Sequence, residues 1–342
     1  MRKTSASRTA RDHVVIVNPL GRALQHYTDA LVATLVDLGM NVSRADIAEP
    51  CARDGGPLSW LADHVRALLQ IRSSGDHGAL LIVTWPVLGW LDLALARLAG
   101  VRRSVVVVHD PRPLERSAGY GRVARCVARG LGTNTTVLVH GEEAQADVAA
   151  AHLRSSIALA PHPMRLRGDG PAPSAGSGQP VVRVLGRYKG DRDVEAMAAI
   201  AAAIGHETQL EVHGAGWPPV SGWTINDAFL PEDEFDELIA TATVVLVPYR
   251  RVYQSGVAVR ATELGVPFVG TDVSAHRMLH GDDSSLLVDP SLPLPGRAAA
   301  YRDAIRRTVA MDAEERRGLA RAAEARTSAA WQRFLVPLGA TS

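Results

Sequence analysis

Small and basic residues cluster where an apolar segment gives way to a short helical segment. Residues 243–247 form an apolar run that predicts a buried strand, and Ser255-Gly256 then opens a helix that ends at Gly265. The basic residues of this segment are Arg250, Arg251 and Arg260. Free backbone N–H groups at a helix start, with cations nearby, suit an anionic phosphate. An ordinary strand–helix–strand crossover with solvated arginines fits the same residues, so both interpretations stay open at this point.

Apolar runs alternate with helical patterns along the chain. The strands predicted for a first domain lie at 13–17, 79–83, 104–108 and 136–139, and those for a second domain at 181–185, 209–212, 243–247 and 268–270. Continuous apolar runs are typical of parallel strands that are buried on both faces. A helix is predicted at about 88–98, and an Ala-, Arg- and Glu-rich helical tail from Ala298. The pattern predicts an α/β chain of two doubly wound domains with a cleft between them.

Composition favours a large enzyme and excludes several other classes. The chain has 342 residues, which exceeds the usual size of one core. Its 37 Lys and Arg nearly balance its 36 Asp and Glu, so no nucleic-acid partner is expected. Only Cys51 and Cys126 are present, without a CxxC pair, so neither a disulfide scaffold nor a zinc site is indicated. The uncharged run 78–91 is too short to span a bilayer, and a cytoplasmic location is expected.

Ligands of doubly wound sheets bind beyond the carboxyl ends of the strands. That rule selects the residues directly after each predicted strand. The selected residues are 18–21, His109-Asp110, 187–190, 213–216 and 249–256. Among them, Arg187 and Lys189 are cations that follow the strand 181–185, and they could stabilise negative charge developing on a leaving group.

The segment 248–272 resembles the donor-binding loop of the family 4 (group 1) glycosyltransferases of GT-B fold, which carry a "PY…QSG…G.P.VgTd" pattern. Residues 185–190 (LGRYKG) are similar to the family's basic "GR…KG" entry to the second domain, and 210–216 (LEVHGAG) to its strand followed by a "G.G" turn. The match is good over about residues 181–290 and only architectural before them. The resemblance implies two Rossmann-like domains and a hexosyltransferase that moves a sugar from a nucleotide-sugar donor to an acceptor. It further implies retention of anomeric configuration, no metal, and no cofactor besides the nucleotide-sugar substrate.

The resemblance also assigns candidate site residues. Those on the donor side are Gly186, Arg192, Gly214, Tyr249, Gln254, Ser255, Gly256, Arg260 and Glu263. Arg187, Lys189 and His109 are the catalytic candidates, with His109 holding or polarising a sugar hydroxyl, and Gly21 and Asp110 lie on the acceptor side. Which of Arg187, Lys189 and Arg192 reaches the phosphates stays open.

The donor loop departs from the family pattern at its two glutamates. The family usually has two Glu eight positions apart, and the corresponding positions hold Val252 and Arg260. Glu263 lies one turn beyond Arg260, so the two either form an ion pair or substitute in ribose binding. This loss supports a rival interpretation, a non-catalytic GT-B subunit that binds a partner or a glycan. A sugar-nucleotide epimerase of the same fold is a third possibility.

Asp191-Arg192-Asp193 looks like a metal-binding DxD motif. The context favours Asp191 as the cap of a helix over 194–204, with Asp193 in its first turn, so we expect no metal site.

An Arg-rich segment and the domain boundaries complete the prediction. Residues 97–130 hold eight arginines against Asp110 and Glu115, and Arg122, Arg125 and Arg129 share one helical face. This segment leaves open a lipid-linked acceptor or peripheral contact with an anionic membrane, against the plainer interpretation of a solvated face. The predicted domains are 1–166 on the acceptor side, a Gly-, Pro- and Ser-rich linker at 167–180, 181–325 for the nucleotide-sugar, and a final helix at 326–342 that returns to the first domain.

Overall fold

The computed structural model describes residues 13–49, 56–113, 117–167 and 178–338. The chain forms two compact units. The first unit is built from the residues up to Pro163 together with those from Ser328 onward, and the second is Met164–Thr327. Most of the predicted linker, residues 168–177, lies outside the described residues, as do Cys51 and Glu115.

Six parallel strands form the sheet of the first unit. They are β1 (His13–Asn18), β2 (Asn41–Asp46), β3 (Leu80–Val83), β4 (Arg103–Val107), β5 (Thr135–Val139) and β6 (Ile157–Leu159). Their order across the sheet is β2-β1-β3-β4-β5-β6. The connecting helices are α1 (Gln25–Asp37), α2 (Gly56–Ser73), α3 (Asp92–Leu95), α4 (Arg122–Leu131) and α5 (Glu142–Ala150), with short 3-10 turns at Gly21–Leu24, Gly89–Leu91 and Ala96–Ala99.

Six parallel strands also form the sheet of the second unit. They are β7 (Val181–Leu185), β8 (Gln209–His213), β9 (Thr224–Asn226), β10 (Val244–Val247), β11 (Phe268–Thr271) and β12 (Leu287–Val288), in the order β12-β11-β10-β7-β8-β9. The helices are α6 (Val194–Ile204), α7 (Glu232–Ala240), α8 (Gly256–Glu263), α9 (Ser274–His280), α10 (Leu294–Ala310) and α11 (Ala313–Leu335), and a 3-10 turn spans Gly205–Glu207.

The core of the first unit lies between its sheet and helices that present apolar side chains at helical spacing. In α1, Tyr27, Leu31 and Leu35 are buried at intervals of four residues, so one stripe of the helix covers the sheet. The end of α11 contributes Trp331 and the neighbouring Phe334 and Leu335 to the same core. The indole Nε1 of Trp331 donates to the carbonyl oxygen of Pro161 at 3.1 Å.

The second sheet is buried on both faces. Val182, Val184 and Leu246 pack on one face with residues of α6 and α10, while Leu185 and Val247 pack on the other with residues of α7, α8 and α9. Successive residues of a strand point to opposite faces, so a continuous apolar run is what a doubly covered strand requires. Both units are therefore doubly wound α/β sheets, and the predicted fold class is confirmed in this respect.

Two predicted helical segments differ from the structure. The helix expected at about 88–98 is broken into a 3-10 turn, the one-turn helix α3 and a second 3-10 turn, and Gly89 has a positive φ of 56° at its start. The tail begins at Leu294 and is interrupted before α11, where the carboxylate of Asp312 accepts from the N–H groups of Glu314 and Glu315. This capping starts α11, and the extended backbone at Met311 ends α10. None of the described helices combines the length and the apolar character that a membrane span needs.

Candidate functional site

The second sheet reverses its strand order between β7 and β10. Strands β7, β8 and β9 follow one another on one side of this point, and β10, β11 and β12 on the other. In doubly wound sheets the ligand lies beyond the carboxyl ends of the strands where the order reverses. The residues after Leu185 and after Val247 lie at that place, so the topology selects the two loops that carry most of the predicted donor-side residues.

Two glycines bring the loops after β7 and β8 into close contact. Gly214 has a φ of +148°, and a Cβ added there would lie 2.2 Å from the carbonyl oxygen of Gly186. Gly186 itself has a φ of +98°, and its carbonyl accepts from the indole Nε1 of Trp217 at 2.8 Å. Only glycine fits at position 214, so the predicted "G.G" turn acts here by allowing two backbones to pack together.

Arg192 joins the loop after β7 to the loop after β10. Its backbone forms an isolated antiparallel bridge with Tyr249, and its guanidinium lies 3.8 Å from the centre of the Tyr249 ring. Flanking hydrogen bonds run from the N–H of Arg250 to the carbonyl of Asp191 at 2.7 Å and from the N–H of Asp193 to that of Pro248 at 2.8 Å. The guanidinium is therefore fixed at the switch point of the sheet.

The charge of Arg192 is buried without an opposite charge bound to it. The residue is only 8% exposed. Among the described residues no carboxylate forms an ion pair with it, and its Nε has no hydrogen-bond partner. Burial lowers the pKa of Arg192 to about 10, an effect that nearby Asp191 opposes, so the side chain stays charged at neutral pH. A desolvated, unpaired cation is costly unless a ligand supplies the missing anion.

The start of α8 adds backbone donors to this loop. Ser255 is the N-cap residue, and its Oγ accepts from the N–H of Ala258 at 3.2 Å. The first helical bond is donated by Val259, so the N–H groups of Gly256 and Val257 precede it. A Cβ built at Gly256 would meet no atom within 4 Å, and the Oε1 of neighbouring Gln254 is buried without a partner. Donors, open space and an unused acceptor thus occur within the four residues 254–257.

Arg187 and Lys189 differ from Arg192 in their surroundings. Both are exposed residues of the loop after β7, whereas Arg192 is buried. Their charges are solvated, so they can approach a ligand but are not held in one position by packing.

The Asp191-Arg192-Asp193 segment is a structural turn. Asp193 rather than Asp191 caps α6, because its Oδ1 accepts from the N–H of Ala196 at 3.1 Å. Its carboxylate also binds Arg250 at 3.2 Å and Arg297 at 3.0 Å. The expected cap at Asp191 is therefore wrong by two residues. In the described part of the chain, no group of three or more His, Cys, Asp or Glu side chains is arranged to hold a metal ion.

Arg260 and Glu263 are both engaged with other segments of the second unit. Arg260 pairs with Asp236 and Glu232 of α7, with its Nε 2.8 Å from Asp236 Oδ1. Glu263 is buried and accepts from the N–H of Arg165 at 3.1 Å. Of the alternatives left open by the sequence, an ion pair between Arg260 and Glu263 is not formed.

In the first unit, His109 belongs to a group of aromatic rings that we call the histidine cluster: the half-buried Trp85 and the buried Tyr27, His109, His140 and His162. His109 stacks on Trp85 with ring centres 5.2 Å apart, and its Nε2 donates to the carbonyl of Thr84 at 2.9 Å. The ring centre of Tyr27 lies 4.8 Å from that of His109 and 4.9 Å from that of His162. The three histidines follow β4, β5 and β6, so the parallel sheet brings their rings to one edge.

Burial keeps the inner histidines neutral. It lowers the pKa of His140 to about 3, and it also lowers the pKa of His162 well below the usual value. His140 Nδ1 donates to the carbonyl of Ala160 at 2.9 Å, and its Nε2 lies 3.1 Å from the Tyr27 hydroxyl. His109 is therefore held by rings and a backbone carbonyl on the edge where the first sheet would bind a ligand.

Gly21 and Asp110 lie in loops on the same edge of the first sheet. Gly21 follows β1 with a φ of +40°, and a Cβ there would lie 2.9 Å from the carbonyl oxygen of Ile47. The sheet order reverses at β1 and β3, next to this loop. Asp110 follows His109 directly, and its Oδ1 accepts from the N–H of Arg112 at 3.1 Å.

Several residues at the switch point of the second sheet and in the histidine cluster were not singled out by the sequence. Trp217 and Arg297 in the second unit, and Tyr27, Trp85 and His140 in the first, carry no motif that singles them out. Only His140 offered a signal, because it directly follows a predicted strand at 136–139.

The chain is similar in structure, over most of its length, to several proteins of known structure. No protein-family model and no curated protein matches the sequence. A sucrose-phosphate synthase from Thermosynechococcus elongatus matches with a TM-score of 0.61 at 18% identity, over 96% of this chain and 98% of that one. HepE of Anabaena, in complex with UDP and glucose, matches with a TM-score of 0.59 at 15% identity, over 95% of this chain and 99% of that one. A UDP-forming alpha,alpha-trehalose-phosphate synthase from Burkholderia vietnamiensis matches with a TM-score of 0.59 at 11% identity, over 96% of this chain and 99% of that one.

These similarities define the class of fold. The two doubly wound sheets and the similarity over nearly the full length of each relative show that the chain has the GT-B fold. Identities this low carry the fold alone. The activity must therefore be argued from the residues of this chain.

Proposed function

We propose that the protein is a glycosyltransferase that uses a nucleotide-sugar donor, with the diphosphate bound at the switch point of the second sheet. The observation that carries this proposal is the buried guanidinium of Arg192, which lacks an anionic partner. A diphosphate would supply that anion. The N–H groups at the start of α8 would bind its oxygens in the way that helix starts bind phosphates.

The chemistry follows from the charge of the leaving group. The bond between the anomeric carbon and the diphosphate oxygen breaks, and the diphosphate gains negative charge. Arg192 stabilises that charge, with Arg187 and Lys189 as solvated cations of the same loop. A new bond forms between the anomeric carbon and an acceptor oxygen, whose proton passes to the leaving phosphate. We propose retention of configuration without a metal ion, as the resemblance to family 4 implies.

The acceptor side is proposed for the first unit. His109, next to Asp110 and on the same edge as Gly21, is held by Trp85 and by the carbonyl of Thr84. Its imidazole would bind a sugar hydroxyl. The acceptor class is a glycan, a lipid-linked sugar or a small molecule, and a cytoplasmic location stays a prediction.

A transfer assay tests the proposal. The protein is incubated with UDP-, GDP- and ADP-sugars and with sugar phosphate, oligosaccharide and polyprenyl-phosphate acceptors, and products are identified by mass. We expect one base to be selected and one acceptor class to gain a hexosyl group. Replacement of Arg192 by Gln should lower kcat/KM by about 10- to 150-fold, since charge-assisted hydrogen bonds contribute roughly 1.5–3 kcal/mol. Arg306→Gln, an exposed arginine of α10, is the matched control.

A non-catalytic subunit is the second candidate. Its support is specific: Arg260 and Glu263, which occupy the region of the family's second glutamate, are bound to α7 and to the backbone at Arg165. That arrangement leaves neither side chain obviously available for a ribose. Absence of product with every donor and acceptor would contradict the transferase and support this candidate. Conversion of the donor without any acceptor would instead support an epimerase.

A further inference from the structure

A buried threonine holds the residue that Arg192 packs on. Thr271 is the last residue of β11 and is only 3% exposed. Its Oγ1 donates to the carbonyl of Tyr249 at 2.7 Å. Because β10 and β11 are paired at Val247 and Gly270, their ends bring this hydroxyl beside the loop after β10. The side chain therefore fixes that loop at the residue whose ring lies against Arg192.

Tyr301 of α10 extends this contact into a chain of three groups. Its hydroxyl lies 3.1 Å from Thr271 Oγ1, and both side chains are buried. A carbonyl only accepts, so the threonine proton goes to Tyr249 and the Tyr301 hydroxyl donates to the threonine oxygen. Burial raises the pKa of Tyr301 to about 12, so this proton stays in place at neutral pH. The hydrogen bonds therefore run in one direction, from α10 through β11 to the carbonyl of Tyr249.

The ring and backbone of Tyr249 in turn contact Arg192. The two backbones form an isolated bridge, and the guanidinium lies 3.8 Å from the centre of the ring. Among the described residues, no carboxylate forms an ion pair with Arg192 that could fix the direction of its side chain. The ring and the bridge must therefore do so, and their own position depends on the bond from Thr271.

We propose that Thr271 and Tyr301 are positioning residues for Arg192. Through Tyr249 they hold the guanidinium at the switch point of the second sheet, where it binds the diphosphate. Neither side chain is assigned a contact with the ligand. The proposal rests on the proposed role of Arg192 in donor binding. The plainer alternative is that the hydrogen-bond chain only stabilises the fold, and its loss would then lower stability without moving the guanidinium.

The position of the guanidinium is measured first, without a ligand. A proton near the face of an aromatic ring is shifted upfield by the ring current, so the Nε–H signal of Arg192 in a proton–nitrogen correlation spectrum reports its contact with Tyr249. The signal is assigned by its absence in Arg192→Met. We expect Thr271→Val, which exchanges the hydroxyl for a methyl group of similar size, to move the signal toward those of exposed arginines. Thr271→Ser keeps the hydroxyl and should leave the signal in place.

Nucleotide affinity is the second measurement. Calorimetric titration of UDP, GDP and ADP should show, for the one that the wild type binds, about tenfold weaker binding in Thr271→Val and a change within about twofold in Thr271→Ser. Tyr301→Phe should weaken binding less, by about threefold, because the threonine still donates to Tyr249. In the Arg192→Met background, Thr271→Val should change affinity by less than about twofold, since it acts through the arginine.

Thr308→Val is the matched control. Thr308 is also buried, and its Oγ1 donates to the carbonyl of Ala304 at 2.9 Å within α10. Its replacement removes the same kind of hydrogen bond from the same unit. We expect it to lower the thermal stability while the Arg192 signal and the nucleotide affinity stay unchanged.

An unchanged Arg192 signal in Thr271→Val would overturn the proposal, whether or not a nucleotide binds. Equal weakening of binding by Thr308→Val, or a tenfold loss that persists in the Arg192→Met background, would overturn it as well. If the wild type binds none of the three nucleotides while the signal moves in Thr271→Val but not in Thr271→Ser, the proposed function fails and the positioning of Arg192 is supported. Thermal unfolding shows which variants fold, and the signal and affinity of Tyr301→Phe decide if Thr271→Val does not.

Discussion

Arg183 of β7 and Arg192 of the loop that follows it serve opposite purposes. Arg183, in β7, binds the carboxylate of Glu211 at 2.8 Å and the carbonyl of Leu238 at 2.7 Å. Arg192 is buried against the Tyr249 ring and lacks such a carboxylate. A partnered arginine supports the fold, whereas a buried cation without a partner contributes little to it and indicates a ligand.

This contrast leads to a prediction about stability. Replacement of Arg192 by Met should change the free energy of unfolding by less than about 1 kcal/mol, because the lost ring contact is offset by the lost desolvation cost. Replacement of Arg183 by Met should lower it by about 2–4 kcal/mol, since Glu211 keeps only His213 as a partner among the described residues and the carbonyl of Leu238 loses its donor. Urea denaturation measures both values. A larger loss for Arg192→Met than for Arg183→Met would mean that Arg192 is mainly structural.

Gly214 gives a second prediction at this scale. An alanine there would place its Cβ 2.2 Å from the Gly186 carbonyl and would adopt an unfavourable backbone conformation. We expect Gly214→Ala to lower the free energy of unfolding by about 2–4 kcal/mol and to weaken nucleotide binding, because the loop after β7 must move. Gly190→Ala is the control, since a Cβ at that position meets no atom within 4 Å. Equal stability of the two variants would show that the loops are not closely packed.

At the scale of helices and strands, Arg260 acts as a link between α8 and α7. Its guanidinium binds Asp236 and Glu232, and it lies 4.8 Å from the centre of the Phe235 ring. Arg260→Met should lower the free energy of unfolding by about 1–2 kcal/mol, and the dissociation constant for a nucleotide should stay within about threefold. The exposed pair of Arg317 with Glu314 is the comparison, and Arg317→Met should cost less than about 0.5 kcal/mol. A tenfold loss of nucleotide affinity in Arg260→Met would instead place this arginine in the binding site.

The sequence predicts the central strands of both sheets well but not their edges. Buried runs such as β3 and β10 are continuous and apolar, and this pattern is hard to mistake. The polar strand β2 and the short strands β9 and β12 lack such a run, because an edge strand is exposed on one side. Their place follows from pairing with the buried strands β1, β8 and β11.

The same limit applies to the candidate site. The rule that ligands bind at the carboxyl ends of parallel strands selects from the sequence the loops that the structure places at the switch point of the second sheet. It does not distinguish exposed Arg187 and Lys189 from buried Arg192, because burial depends on the loop after β10 packing over the loop after β7. The histidine cluster likewise depends on the neighbouring positions of β4, β5 and β6 in the sheet.

At the scale of the whole molecule, buried histidines make stability depend on pH. Burial lowers the pKa of His140 and of His280 to about 3, and it lowers that of His162 as well. Each is neutral when folded but binds a proton on unfolding below about pH 6.5, so its contribution to stability is complete above that pH. As pH falls toward the folded pKa, each histidine should cost up to about 1.4 kcal/mol per pH unit.

Urea denaturation between about pH 7 and pH 5 measures this dependence. His140→Asn should reduce the slope by up to about one proton, and His152→Asn, at an exposed position, is the matched control. A slope that is the same in His140→Asn as in the wild type would contradict the burial of a neutral His140.

The central claim is that the switch point of the second sheet binds a nucleoside diphosphate through Arg192. Isothermal titration of UDP, GDP and ADP into the wild-type protein and into Arg192→Met tests it most directly, with Arg306→Met as the matched control. We predict that one nucleotide binds, that Arg192→Met weakens it by about 10- to 150-fold, and that the control does not. Binding of no nucleotide to the wild type, or equal affinity in Arg192→Met, would contradict the claim.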